Sequence, residues 1–216
     1  DGLTSIEEFS FYGCTGLTKI TFPDGLSTIE RNAFMKCTGL TSISFPDSLT
    51  TIGIIAFKGC TGLAEITFPV SLTAIGESAF EDCTGLTQLI FPDGLTTIGI
   101  YAFKRCTGLT SVTFPNSLTS IEREAFRDCT NLKCLIVPPS FADKGIPYWQ
   151  ERGIYNYETA IYNTQQQEHS TPACQQDDIA ALADTPAQST KLSLFSTRPQ
   201  RTTQNNLPPN KRTRRD

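Results

Sequence analysis

Eight cysteines and one histidine are the side chains of this 216-residue sequence that most readily act as nucleophile, base or metal ligand. Six of them, Cys14, Cys37, Cys60, Cys83, Cys106 and Cys129, stand 23 residues apart without exception. Cys-x-x-Cys, the usual pairing for zinc, never occurs. If successive copies stack, neighbouring column cysteines fall about 5 Å apart, within the Cα range of a disulfide, but their side chains point in parallel and resist bridging. The column therefore reads as a ladder of small buried hydrophobes. Cys134 lies outside it, at an outward strand position, and reads as a free thiol. Cys174, with the lone His169 five residues before it, is the nearest approach to a nucleophile and base. Both sit in a stretch too polar to fold, with nothing to hold them in geometry. No Gly-rich phosphate loop follows a strand, and the recurring Thr-Gly dipeptides are turn residues. The expectation is a protein without catalytic residues, metal or cofactor.

The elements that position these cysteines repeat with them. One unit reads Cys14-Thr15-Gly16-Leu17-Thr18-Lys19-Ile20-Thr21-Phe22-Pro23-Asp24-Gly25-Leu26-Ser27-Thr28-Ile29, then a short polar stretch, then Ala33-Phe34. Self-similarity at this period indicates a solenoid. Ile20 and Phe22 keep the period of two that turns both side chains to one side of a strand. Pro23 then ends the ladder, because it has no N–H to donate. Leu26-x-x-Ile29 predicts a second extended piece, and Ala33-Phe34-x-x-Cys37 predicts one helical turn, since positions three and four apart share a face. A lone unit has too little apolar surface to fold, so stability must come from the stack.

The unit resembles the BspA-type (treponemal) leucine-rich repeat, whose pattern is Leu-x-x-Ile-x-(Ile/Phe)-Pro-x-x-Leu-x-x-Ile-Gly-x-x-Ala-Phe-x-x-Cys. The likeness runs over residues 1–141, and five copies keep the Pro, the Ala-Phe pair and the Cys together. It implies a β-rich leucine-rich repeat solenoid, from bacterial or protist proteins that are often surface-exposed and adhesive, some acting inside host cells. Where the commonest leucine-rich repeats carry an Asn ladder, this sequence has Gly25, Ser48, Ser71, Gly94 and Ser117.

Three regions are expected. Residues 1–141 form the solenoid, which begins in mid-repeat and reads as cut from a longer chain. Residues 142–163, with the one Trp and several Tyr, read as a cap over the last coil. Residues 164–216, rich in Gln, Thr, Ser, Pro and Asn, read as a disordered tail. The net charge of -4 conceals an asymmetry, because Arg198 to Asp216 holds six Lys/Arg against one Asp and the body before it is acidic. No run approaches the roughly 18 apolar residues of a membrane-spanning helix.

Three surfaces are candidates for binding. The outward strand positions Lys19, Thr21, Ser42, Ser44, Glu65, Thr67, Gln88, Ile90, Ser111 and Thr113 offer hydroxyls and amides to a protein or glycan, although such residues are also simply good strand formers. Between the Ile29 and Ala33 columns, Ile54, Ile55, Ile100 and Tyr101 form a candidate apolar patch; packing inward explains them nearly as well. Lys211, Arg212, Arg214 and Arg215 compose a candidate localisation signal, with a solvated tail as the bland alternative. Neither aromatic interleaving nor a folded basic face supports nucleic-acid binding, and no small-molecule substrate is implied. The sequence thus points to a surface or secreted adhesion module binding host or neighbouring-cell macromolecules. The alternative is an intracellular adaptor or host-delivered effector.

Overall fold

The computed structural model describes residues 2–141 and 144–155, together with the backbone of Glu158–Ile161. All of these belong to the first of the chain's two units, Asp1–Cys174. Cys174, His169 and the basic run Lys211 to Arg215 lie outside the described residues. Coils are numbered here from their cysteine, so that coil one starts at Cys14 and coil six at Cys129.

Successive coils build one continuous parallel sheet on one side and two separate groups of parallel strands on the other. One sheet has six two-residue strands, β1 (Ser5–Ile6), β2 (Thr28–Ile29), β4 (Thr51–Ile52), β6 (Ala74–Ile75), β8 (Thr97–Ile98) and β10 (Ser120–Ile121), stacked in chain order. The other face carries β3 (Ser42–Ser44) paired with β5 (Glu65–Thr67), and then β7 (Gln88–Ile90), β9 (Ser111–Thr113), β11 (Cys134–Val137) and β12 (Glu158–Ile161) as a second group. The pairings from β1 to β11 are in register at the 23-residue period, as in Ile29 opposite Ile52 and Ile43 opposite Ile66, whereas β12 pairs with β11 at an offset of 24, Glu158 opposite Cys134. Coil one lacks the outer-face ladder; Thr41 reaches back to Thr18 O there with its N–H at 3.2 Å and its hydroxyl at 3.3 Å.

The core is a set of columns. Leu26, Leu49, Leu72 and Leu95 are fully buried, as are Phe34, Phe57, Phe80, Phe103 and Phe126. The last five rings stack almost parallel at 5.0, 5.2, 5.3 and 5.4 Å between centroids. A second phenylalanine column, Phe22 to Phe114, meets the first edge-on, as in Phe22 against Phe34 at 86°. Edge-to-face and offset pairs are favoured by the ring quadrupole, so both columns gain beyond simple burial.

The segment expected as one turn of helix is not helical. Met35 N–H bonds Asn32 O at 3.1 Å and Cys37 N–H bonds Phe34 O at 3.2 Å, so the bonds span three residues. Asn32 at φ 58° and Lys36 at φ 63° interrupt the run, and the same two columns are left-handed in every coil. The physical reason lies between coils. A helix would consume its own amides, whereas here Phe34 N–H donates to Ala56 O at 2.8 Å and Lys36 N–H to Lys58 O at 2.8 Å. On this side the amides point to the following coil; behind the Ile29 column they point to the preceding one, as Gly53 N–H does to Ile29 O at 2.8 Å.

Side chains extend these ladders. Cys60, Cys83, Cys106 and Cys129 each donate Sγ–H to the phenylalanine carbonyl one coil earlier, for example Cys83 to Phe57 O at 3.2 Å. Thr73, Thr96 and Thr119 donate both amide and hydroxyl to the residue 23 before them. Ser48, Ser71 and Ser117 donate to Leu26, Leu49 and Leu95 O, so these serines supply a hydrogen-bond ladder in place of asparagine. The Thr-Gly turn needs glycine, because a Cβ on Gly39 would land on the carbonyl oxygen of Thr15.

At the C-terminal end, a short 3-10 turn (Pro139–Phe141) leads to α1 (Ile146–Glu151), whose Trp149 is buried and stacks on Phe114 at 6.2 Å. Carbonyls at the end of a helix lack partners within it. Two of them face coil five, where Glu124 N–H bonds Glu151 O at 2.7 Å and Phe126 N–H bonds Arg152 O at 2.8 Å. Arg152 Nε donates to Ile121 O at 3.0 Å, taking the place of an amide from a further coil, and its guanidinium lies 3.5 Å from the Tyr148 ring centre.

Candidate binding face

The outer strand positions of the first three coils surround a hollow of about 400 Å³. Lys19 and Thr21 come from coil one, Ser42 and Ser44 from β3, and Glu65 and Thr67 from β5, so six of the ten expected face residues line one depression. Alternation along each strand puts them there, since Ile43 between the two serines is buried in the core. Asp24, from the Pro-Asp turn, joins the rim and went unnoticed in the sequence, although its position just after the strand column was visible. The lining carries one cation, two carboxylates and four hydroxyls, with no aromatic ring exposed within it. Such a surface can hydrogen-bond a polar chain in both senses and hold opposite charges at its rim.

Beyond the hollow the face changes. Gln88 is half-buried and Ile90 is 57% exposed, Thr113 is half-buried, and Ser111 is only 8% exposed and so is not available as expected. Cys134, expected as a free thiol, is disulfide-bonded. It is also buried, as is Ile136 at the next outward position of the same strand.

The candidate apolar patch does not come together. Ile54 and Ile100 are each 39% exposed, Ile55 and Tyr101 are half-buried, and the coil between them presents the exposed Glu77. Tyr101 is covered by Lys104, whose Nζ lies 4.7 Å from the ring centre.

Below the turns lies an ion cluster that sequence reading missed. Glu81, with its side chain 5% exposed, takes Lys58 Nζ at 2.8 Å, Lys104 Nζ at 3.2 Å and Arg105 Nη2 at 3.1 Å, from the coils on either side. Burial opposes its ionisation and is the largest single influence. Hydrogen bonds from Lys58, Ser78 and Lys104, with the charge on Lys58, outweigh it and hold the carboxyl below the usual glutamate range. The signal was in the column Lys58, Glu81, Lys104, Arg127, which alternates in sign before its last member.

The column cysteines are free thiols, buried in every copy but the exposed Cys14. Burial pushes the Cys83 and Cys106 thiols well up, away from the thiolate that nucleophilic chemistry needs. Among the described residues no cluster of His, Cys, Asp and Glu has the makings of a metal site, and no helix is long and apolar enough to cross a membrane.

Two parallel sheets wound at a constant 23-residue period, with small polar residues outward on one of them, define a leucine-rich repeat solenoid of the kind that presents a face for binding. The chain belongs to the BspA type leucine-rich repeat family, whose model matches six copies over residues 1–84 and 27–145. Among solved structures it is similar to a Treponema pallidum leucine-rich repeat protein, at 28% identity and a TM-score of 0.53, over 76% of this chain and 80% of that one. A leucine-rich repeat protein from Bacteroides ovatus matches at 26% identity and a TM-score of 0.47, over 74% of this chain and 52% of the other. The pneumococcal vaccine antigen PcpA matches at 27% identity and a TM-score of 0.46, over 53% of this chain and 28% of that one. No curated protein matches the sequence. Repeat proteins of this family are generally non-enzymatic interaction modules, often surface or secreted bacterial proteins.

Proposed function

We propose that the protein is a surface-exposed or secreted adhesion module that holds a protein or glycan of a host or neighbouring cell on the outer strand face of coils one to four. The observation that carries this reading is the hollow, where residues from three successive coils converge on one hydroxyl-rich depression with charges at its rim. The β3–β5 ladder fixes Ser42, Ser44, Glu65 and Thr67 before a ligand arrives, so a ligand does not bear the cost of ordering those positions. The absence of an exposed ring among its lining residues favours a protein segment over a sugar, which aromatic faces usually hold. The disulfide at Cys134 supports an oxidising, extracytoplasmic setting.

The test compares binding of the labelled chain to intact candidate host cells with that of two variants. Ser42→Arg with Ser44→Arg fills the hollow, and Ile54→Arg with Ile100→Arg alters the turn side. Loss of at least tenfold in binding with the first pair and none with the second supports the reading. The reverse pattern overturns it.

The free thiols of the cysteine column favour the second reading, an intracellular adaptor or host-delivered effector whose basic tail directs localisation. Changing Lys211, Arg212, Arg214 and Arg215 to Ala would then redistribute a tagged protein within cells. Protease treatment of intact source cells separates the two readings, since only an exposed solenoid is released before lysis.

A further inference from the structure

The hydroxyls of the solenoid fall into two groups. Thr50, Thr73, Thr96 and Thr119 each donate theirs to the carbonyl 23 residues earlier, so they belong to the stack. Thr21, Ser42, Ser44 and Thr67, which line the hollow, have no hydrogen-bond partner for theirs among the described residues. The charges divide in the same way. The ion pairs of the described residues lie among the turns, around Glu81 and Arg127, and at α1. Lys19 and Glu65, exposed at the hollow, enter none of them.

These groups are ordered along the stack. Ser42 stands opposite Glu65 in the β3–β5 ladder, and Lys19 is their equivalent in coil one, 23 residues before Ser42. One column therefore runs cation, hydroxyl, carboxylate, and beside it runs the all-hydroxyl column Thr21, Ser44, Thr67. The two charges are two coils apart, which is about 10 Å at the spacing of paired strands.

We infer that the hollow takes a polyproline II segment of a partner protein, lying along the stack, with an acidic side chain over Lys19 and a basic one three residues away over Glu65. This deepens the reading of the outer strand face as the binding face, and rests on it. The spacing selects the conformation. A polyproline II helix has three residues per turn and rises about 3.1 Å per residue, so side chains three apart share a face at about 9 Å. A β-strand presents side chains on one face at about 7 and 13 Å, to either side of the spacing required. The hydrogen bonding agrees. A polyproline II backbone has no internal hydrogen bonds, so its carbonyls are free acceptors. The four hydroxyls of the lining are donors without acceptors of their own. A segment of one charge sign alone would meet its own sign at one end of the column, which excludes it as the better fit.

The test uses the full chain and the peptide Pro-Pro-Glu-Pro-Pro-Arg-Pro-Pro, labelled with fluorescein and amidated at its end, with binding read by fluorescence anisotropy. Lys19→Glu and Glu65→Lys are each expected to weaken binding by about fivefold, since each replaces an exposed attraction by a repulsion. The double variant reverses the polarity of the column and is expected to bind the same peptide, turned end for end, nearly as well as wild type. A peptide with Glu and Arg two residues apart is expected to bind more weakly than the first. No binding of the peptide to wild type, or a double variant weaker than either single one, overturns the inference. Equal binding of the two spacings overturns it as well. Intact cells separate this failure from failure of the face. Binding that glycosidase removes and protease does not identifies a glycan and overturns the inference, with the face left in place. Binding unaffected by Ser42→Arg with Ser44→Arg removes the face, and the inference with it.

Discussion

At the scale of single residues, the left-handed positions store strain where the side chain is ill-suited to them. Ile55 adopts φ 59° in the column that elsewhere holds Asn32 and Ser78. A β-branched residue there is a conformational outlier, and asparagine tolerates the region. Ile55→Asn is therefore expected to stabilise the chain by about 1 kcal/mol, read as a higher midpoint in thermal unfolding; a lower midpoint would show that the half-buried side chain outweighs the backbone. Glu81 gives a pH dependence. Its folded carboxyl titrates below the unfolded glutamate value of about 4.3. Its contribution is thus complete above that value and is lost as pH falls through the folded one. Glu81→Gln is expected to lower the melting temperature at pH 7 and to flatten its decline at acid pH; an unchanged slope would remove Glu81 from acid unfolding. Much at this scale was legible. The cysteine column was read as small buried residues, and is so from Cys37 to Cys129, with Cys14 exposed. Its Sγ–H bonds to the phenylalanine carbonyls were not readable, because they join residues 26 apart whose orientation follows from two left-handed neighbours.

At the scale of elements, the period of two in Ile20 and Phe22 located the strands, and the i, i+3 and i, i+4 spacing of Ala33, Phe34 and Cys37 wrongly implied a helix. Both patterns put the same side chains inward. They differ in where the amides go, and amides leave no trace in apolar periodicity. The closing element α1 shows the same economy of backbone groups. Arg152 supplies to Ile121 O the donor that a further coil would supply, and Gly153, at φ 82°, lies where a Cβ would strike Arg127 N. Arg152→Ala is expected to cost about 1–3 kcal/mol by leaving that acceptor unpartnered. Gly153→Ala should be worse, displacing the residues that receive Glu124 and Phe126. Denaturant unfolding measures both, and a Gly153→Ala midpoint equal to wild type would mean that the contact at Arg127 is easily relaxed.

At the scale of the described molecule, each coil touches its neighbours and little else, so stability is a sum of coil and interface contributions. Amide exchange should then be graded. Phe57 and Phe80, flanked by coils on both sides, are expected to exchange most slowly, and Phe11 and Gly13, which precede coil one and bond only to it, fastest; uniform protection from Phe11 to Phe103 would indicate one cooperative block instead. The 23-residue period made this architecture readable, since a fixed repeat length fixes which residues share a column. It did not reveal that Ser111, Cys134 and Ile136 are buried where Ile90 is 57% exposed, because a shared column does not fix burial. The ladders themselves have a mechanical consequence. Nearly every bond between coils runs along the stack, so a pull from end to end loads them in tension and opens them one coil at a time rather than shearing all together. Each coil released pays out 23 residues, about 75 Å of contour, which makes the stack an extensible spring that yields stepwise under load.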